Sequence, residues 1–309
     1  MKILIELPSW LGDTIMTTPA IENIVNHFGK VEITLIGSNI SIEALKNHPS
    51  VVKTYVIEKK IYLMYKILKD LKEFDIFFSF RNSFRARLMK YFISAPNKHQ
   101  YNKNFFTLTH QVEKYNQFIN TSLGINSLAG KLILHQEKDN KKRKNKLLGL
   151  NPGASYGSAK RWYSIEFAEV ALDLSHEYDI LILGGFNEIE IASDIENFLI
   201  DKGVRNYQNL VNKTSIEELM AKIKKLDLFI TGDSGPMHIA AAFNIPTVSI
   251  FGPTNHYETS QWMNENSEIV RKDLECQPCM KRTCPLKHNN CMKQIKASDV
   301  LVAARKLIF

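Results

Sequence analysis

The residues that most plainly suggest chemistry lie in the stretch 226–253, LDLFITGDSGPMHIAAAFNIPTVSIFGP. Two apolar, β-prone runs flank an Ala-rich helical segment. The pattern reads as strand, turn, helix, strand, with strands buried on both faces. The turn Gly232-Asp233-Ser234-Gly235-Pro236 follows the carboxyl end of the first strand, where open parallel sheets bind ligands. Asp233 or Ser234 is placed to cap the helix, and Pro236 suits its first turn. The unpaired N–H groups and positive dipole end there attract phosphate, and His238 lies about one turn in. Spacing alone fits an ordinary capped turn around a buried histidine equally well.

Three further groups stand out. Asp13 ends the loop Pro8-Ser9-Trp10-Leu11-Gly12-Asp13 after the first apolar strand. There it is either a helix cap or a base facing a ligand crevice, with Gly12 permitting close backbone approach. Lys160-Arg161 comes near the first strand of the second half, well placed for a diphosphate; as an isolated pair it also reads as two exposed loop cations. All four cysteines fall in one pattern, Cys276-x2-Cys279-x4-Cys284-x6-Cys291, with His288 between. In a reducing compartment such density points to thiols or metal rather than disulfides. The spacing admits zinc without matching a standard zinc ribbon, and clustered structural thiols are the other reading.

Strands alternating with helices must position these groups. Strands are expected at 2–7, 31–36, 51–57, 75–80 and 98–101, with helices at 14–28, 41–47, 61–71, 83–92 and 113–123. Pro19 implies a kink or restart within 14–28. The run HQEKDNKKRKNK (135–146) has no apolar residue and reads as a linker. The alternation restarts with strands at 146–150 and 179–183 and helices at 165–175, 187–199 and 215–225, leading into the opening motif. Residues 254–292 read as loop-rich and 297–307 as a last helix. The expected architecture is α/β, two doubly wound Rossmann-like domains facing a central cleft, over 1–140 and 147–309. The last helix is a candidate to pack back on the first domain.

The 309 residues carry a formal net charge of +8. Residues 1–146 hold 23 Lys+Arg against 12 Asp+Glu, and residues 147–309 hold 17 against 20, so the halves should meet different partners. No acid occurs from Ile76 to Val112, a window with Arg81, Arg85, Arg87, Lys90, Lys98 and Lys103. Arginines in such a window suit bidentate anion contacts; the residues alone fit nucleic acid, anionic lipid or an acidic glycan. No apolar run approaches the roughly 20 residues of a membrane span, and the N-terminus carries no signal pattern, so a cytosolic protein is expected.

The motifs Pro8–Asp13 with Pro19-Ala20, Asn151-Pro152-Gly153-Ala154 with Lys160-Arg161-Trp162, Gly232–His238, and Phe251-Gly252-Pro253-Thr254 together resemble glycosyltransferase family 9, the ADP-heptose:lipopolysaccharide heptosyltransferases. The first loop and the cysteine segment are most similar to the branch that adds the second heptose of the inner core. The resemblance implies a GT-B fold and inverting transfer of L-glycero-D-manno-heptose from ADP-heptose to the first heptose of the core. It implies Asp13 as general base. The donor set is Lys160 at the diphosphate, Asp233, Ser234, Gly235 and His238 at the donor turn, and Ser155, Glu188 and Thr214 around diphosphate, ribose and adenine. No cofactor is required. With a phosphorylated or acidic acceptor implied, the basic window supplies Arg81, Arg85 and Lys98 as acceptor contacts. Arg81 stands where the family often has Pro before Asn-Ser, which puts those contacts in doubt. The protein would work at the inner face of the cytoplasmic membrane, held by electrostatics, with no nucleic acid as partner.

Other readings keep part of this set. A heptosyltransferase acting first on Kdo-lipid A would keep every donor motif. A non-catalytic sugar-nucleotide-binding module would keep Lys160 and Asp233 but need no Asp13. A nicotinamide oxidoreductase would need G-x-G-x-x-G after a strand, and none is present.

Overall fold

The computed structural model describes residues 1–57, 67, 70–71, 73–105, 109–136, 144–154 and 156–308. Most of the expected 61–71 helix, most of the 135–146 linker and Ser155 lie outside the described residues. The chain divides into two compact units, Met1–Gln136 and Glu137–Phe309.

The first unit runs β1 (Lys2–Glu6), α1 (Leu11–Met16), α2 (Thr18–Phe28), β2 (Glu32–Gly37), α3 (Asn39–Leu45), β3 (Val51–Val56), β4 (Ile76–Ser79), α4 (Phe84–Phe92), β5 (Asn97–Gln100) and α5 (Gln111–Leu123). Its sheet has the order β3-β2-β1-β4-β5, and every pair is parallel. Ile3, Leu4, Ile5, Phe77 and Phe78 are wholly buried, as consecutive strand residues are when helices cover both faces. The order reverses between β1 and β4, which puts the topological switch point at the ends of those two strands.

The expected kinked helix over 14–28 is two helices. α1 begins at Leu11, earlier than expected, and the chain restarts at Thr18 with Pro19 in the first turn of α2, where its missing N–H breaks no helical bond. Ser83 caps α4 by accepting the Ala86 N–H at 3.2 Å. α5 stops at Gly124, whose φ of +66° is left-handed and suits glycine.

The second unit runs β6 (Lys146–Asn151), α6 (Ser164–Leu174), β7 (Tyr178–Ile182), α7 (Ile189–Asp201), β8 (Tyr207–Asn209), α8 (Ile216–Ile223), β9 (Leu228–Gly232), α9 (Gly235–Ala242), β10 (Thr247–Ile250), α10 (His256–Thr259), β11 (Ser267–Val270), α11 (Asn290–Lys293) and α12 (Ala297–Ile308). Its all-parallel order is β11-β10-β9-β6-β7-β8. The switch point lies between β6 and β9. The edge strands β8 and β11 are additions to the sequence reading; they are short and partly polar (YQN and SEIV). Ser164 is the first residue of α6 rather than its cap, a position held by Tyr163. The last helix, α12, packs against α6, β10 and β11 of its own unit, because Val300, Ala303 and Ala304 join that unit's core. Among the described residues, no helix is long and apolar enough to cross a membrane.

Candidate active site

The carboxyl ends of β6 and β9 meet where Asn151 pairs with Thr231. Asn151 is buried and its Nδ2 donates to Thr231 Oγ1 at 3.1 Å and Ser234 Oγ at 3.0 Å. Ser234 occupies the N-cap position of α9, but no side-chain cap bond is made, since its hydroxyl is turned to the strand ends. The positive end of the α9 dipole therefore has no side-chain cap. Gly235 is the first helical residue, and His238 follows within the first turn, buried.

Asp233 is buried and accepts two hydrogen bonds at Oδ2, from Lys160 Nζ at 2.5 Å and from Thr254 Oγ1 at 2.6 Å. Lys160 Nζ also reaches the Asp233 carbonyl at 3.4 Å and lies 4.8 Å from the centroid of the Tyr156 ring, a cation–π distance. The sequence expectation thus brings Lys160, Asp233, Ser234, Gly235 and His238 to one turn. Thr254, Tyr156 and Asn151 complete it without having been assigned roles; Asn151 and Thr254 stood inside quoted motifs.

Glu188 is buried at the loop after β7. Its Oε2 accepts the Gly185 N–H at 2.8 Å. Its Oε1 has no hydrogen-bond partner, with the Arg161 guanidinium 4.0 Å away. A side chain on Gly153 would collide with the Glu188 carboxyl stem at 2.4 Å, so glycine there lets a carboxylate lie against the end of β6. A buried acceptor oxygen without a donor suits a ligand hydroxyl. Thr214 is half-buried in the loop after β8, next to Ser215, which caps α8. Ser155 lies outside the described residues.

In the first unit, Glu6 and Ser79 end β1 and β4 and pair across them. Glu6 is buried; Ser79 Oγ donates to its Oε2 at 2.5 Å, and Arg81 Nη1 lies 3.5 Å from its Oε1. Burial pushes the Glu6 carboxyl up to about 7, against the opposing pull of the Ser79 hydrogen bond and of Arg81 and Arg85. Arg85 is held below its ordinary range by burial and by Arg81. Arg81 and Arg85 therefore share one buried acid. Sequence reasoning missed Glu6 because it lies far outside the acid-free window; its signal was a carboxylate at the end of an otherwise apolar strand. Lys98 is elsewhere. It pairs with Phe77 near the start of β4 and lines a cavity of about 830 Å³ at the amino edge with Lys2, Glu32, Glu73 and Asp75. That cavity sits at the edge away from the switch point.

Asp13 sits in the first turn of α1, half-buried, while Trp10 holds the N-cap position. The buried Tyr115 phenol titrates well above its ordinary range, first through burial and then through the nearby Asp13 charge. The carboxylate thus lies close to the start of α5, near the β1–β4 switch point. Elsewhere, Glu22, His48 and His135 bring ligand atoms within 4.8 Å of one another. His48 Nδ1 accepts the Ser50 N–H at 3.1 Å, which leaves the proton on Nε2 to be donated to Glu22 at 3.0 Å. His48 is thereby committed to a hydrogen-bonded pair with Glu22 and offers no ring lone pair to a metal.

Two doubly wound parallel units, one with an acid–lysine pair at the mouth of its switch point, define the GT-B class of glycosyltransferases. The family model for glycosyltransferase family 9 (heptosyltransferase) matches residues 64–290. Lipooligosaccharide heptosyltransferase 2 of Campylobacter jejuni subsp. jejuni serotype O:2 is 42% identical, over 100% of this chain and 98% of that protein. The structure of E. coli ADP-heptose lps heptosyltransferase II superposes with a TM-score of 0.84 at 21% identity, covering 100% of this chain and 98% of that one. E. coli heptosyltransferase WaaC with ADP superposes with a TM-score of 0.80 at 15% identity, over 99% and 100%; likeness at these identities speaks to the fold. The chain belongs to glycosyltransferase family 9.

Proposed function

We propose that this protein transfers a heptose from ADP-heptose to the first heptose of a lipopolysaccharide or lipooligosaccharide inner core, with inversion at the anomeric carbon. The observation that carries the donor half is the Lys160–Asp233–Thr254 network beside the uncapped start of α9. Full-length similarity to a heptosyltransferase 2 carries the choice of acceptor. In a single displacement, the acceptor hydroxyl attacks the anomeric carbon and passes its proton to Asp13 as the bond to the diphosphate breaks. Lys160 and the α9 dipole stabilise the leaving ADP. Glu188 Oε1 and Asp233 accept hydroxyls of the ribose and heptose, and Ser155, His238 and Thr214 line the same donor site. Incubating the purified protein with ADP-heptose and core acceptors of graded length tests this. Product is expected only with an acceptor that already carries one heptose. Product on unheptosylated Kdo-lipid A would establish the first-heptose alternative, and ADP-heptose binding without turnover on any acceptor would establish a non-catalytic module.

On the acceptor side, Arg81 and Arg85 are assigned to acidic groups of the core; Lys98, at the other edge of the sheet, is left with at most a long-range electrostatic part. Their shared Glu6 makes this contact pH-dependent. Burial makes the charged form the costly one, so Glu6 contributes most to folded stability below its ordinary value of 4.5, and that contribution is lost as pH rises through about 7. Over the same interval the ionised carboxylate competes for Arg81. The acceptor KM is therefore expected to rise as pH passes through about 7, by roughly 2–10-fold for one hydrogen-bonded contact of about 0.5–1.5 kcal/mol. Glu6→Gln should flatten that profile, and a profile identical to the parent's would remove Glu6 from acceptor binding.

The same reading places the protein at the inner face of the cytoplasmic membrane, where a lipid-linked acceptor is presented. The sequence reading expects electrostatic attachment alone. α4 adds an apolar part, because Phe84, Tyr91 and Phe92 are 79%, 80% and 54% exposed on a helix that also carries Arg85, Arg87 and Lys90. Such a face suits an anionic interface. Phe84→Ala with Tyr91→Ala is expected to weaken co-sedimentation with vesicles containing anionic lipid by at least about tenfold, since burying even one aromatic is worth about 1.5–3 kcal/mol. Undiminished sedimentation would return the attachment to charge alone.

A further inference from the structure

Residues 271–289, between β11 and α11, carry no helix or strand, and none of them is buried. A long irregular segment of that kind has no apolar core of its own to hold it. Its backbone is nevertheless specialised. Met280, Lys287 and Asn289 have φ of +54°, +58° and +48°, a left-handed conformation that costs a non-glycine residue about 1–2 kcal/mol. The segment also makes defined contacts with the donor side of the unit. The Ala159 N–H donates to Arg282 O at 3.0 Å, the Met280 N–H to Pro253 O at 2.9 Å, and Tyr156 Oη to Met280 O at 2.9 Å. The Arg282 guanidinium lies 5.2 Å from the Tyr156 ring centroid, and Lys160 Nζ lies 4.8 Å from the same centroid. A few surface hydrogen bonds do not account for fixing so much strained, solvent-exposed chain.

All four cysteines of the protein converge inside this fold. Cys276, Cys279, Cys284 and Cys291 are unbridged and line one small, largely enclosed cavity with His288, Ala159 and Pro253. The left-handed Lys287 and Asn289 lie between Cys284 and Cys291 in this stretch, and the Lys287 N–H closes a turn on Cys284 O at 3.2 Å. The strain and the sulfur arrangement are thus one feature.

We propose that Cys276, Cys279, Cys284 and Cys291 bind a thiolate-ligated metal centre that fixes residues 271–291 against the segment carrying Lys160. No three of the sulfurs lie within 4.8 Å of one another. A single tetrahedral zinc with Zn–S bonds of about 2.3 Å needs sulfur–sulfur edges of about 3.8 Å. A single zinc therefore requires the sulfurs to be drawn in, and an iron–sulfur cluster held by four thiolates is the other occupant that this donor chemistry admits; metal and labile-sulfide content distinguish the two. Binding displaces a proton from each thiol that is not already ionised. The centre is structural: the cavity faces Ala159 and Pro253, each one residue from a partner of Asp233, so its loss would loosen Lys160 and Thr254 without removing either.

The test is metal and acid-labile sulfide analysis of the full chain purified without chelator under anaerobic conditions, with its visible absorption spectrum. Iron with matching labile sulfide and a broad absorption band supports the cluster. About one zinc per chain without sulfide supports the single-ion form. Less than about 0.2 equivalents of either, with all four thiols titrating freely in the folded protein, overturns the proposal. Cys279→Ser is expected to lose the metal. Should that variant fail to fold, treating the intact protein with chelator and following its thermal unfolding replaces it; an unchanged unfolding temperature after metal removal overturns the stapling role. ADP binding measured before and after removal should weaken several-fold. Metal content and unfolding are read without donor or acceptor, so they stand whether or not the proposed transfer reaction is correct.

Discussion

Asp13→Asn is expected to lower turnover by at least ~10²-fold while leaving ADP-heptose affinity close to that of the parent. The amide keeps the size and position of the carboxylate in the first turn of α1, and what it loses is the capacity to take a proton. General-base assistance is worth ~10²–10⁴-fold, and it acts only as the acceptor hydroxyl becomes nucleophilic. The defect should therefore appear in kcat, with donor binding spared. A small loss of stability is expected as well, about 0.3–1 kcal/mol, because a negative charge near a helix start interacts with the dipole. The Tyr115 phenol supplies a separate readout of placement. The Asp13 charge helps raise it after burial has done most of the work, so its titration should move down in the variant even if turnover did not. Normal turnover in a folded protein whose Tyr115 titration has moved would leave Asp13 with a local electrostatic role only.

The alternation of apolar runs was enough to read two parallel sheets, because strands buried on both faces leave a strong signal. It failed where burial is partial. β8 and β11 are short edge strands in which polar residues are mixed with apolar ones and only Val270 is buried, so little in their composition separates them from loop. The start of α1 was misplaced because Trp10, an unusual N-cap without a side-chain acceptor, gives no start signal.

The turn proposed for the donor was legible for a different reason: Gly232, Asp233, Ser234, Gly235 and His238 fall within seven residues, and one strand–turn–helix fixes them together. Lys160 is far from them in sequence, and only the pairing of β6 with β9 brings it to Asp233. The basic window shows the opposite failure. It holds no acid along the chain, yet in space the β1–β4 pairing brings Glu6 to Arg81 and Arg85, and strand register carries Lys98 to the other edge. Charge counted along a sequence misleads wherever a parallel sheet imports a residue from a distant strand.

The proposed donor site yields the other large effect. Lys160→Ala is expected to weaken ADP and ADP-heptose binding by about 1.5–3 kcal/mol, the usual range for a hydrogen bond to a charged group, which is roughly 10–150-fold in Kd. The ammonium is already engaged by the Asp233 carboxylate and carbonyl, and it has a third N–H to offer a diphosphate. Because Asp233 is buried, its removal also leaves a carboxylate held only by Thr254, and breaking one partner out of a buried pair is destabilising by about 3–5 kcal/mol. Two losses would then be confused in one variant. Lys160→Ala combined with Asp233→Asn separates them: the neutral amide no longer needs the cation, so most of the stability should return while donor affinity stays low. Calorimetry with ADP and a thermal melt on both proteins reads the two quantities independently. Parent-like ADP affinity in the stable double variant would remove Lys160 from the donor site and leave the pair a structural one. Low affinity with recovered stability is the expected result, since the diphosphate would still lack the cation that reaches it from the end of β6.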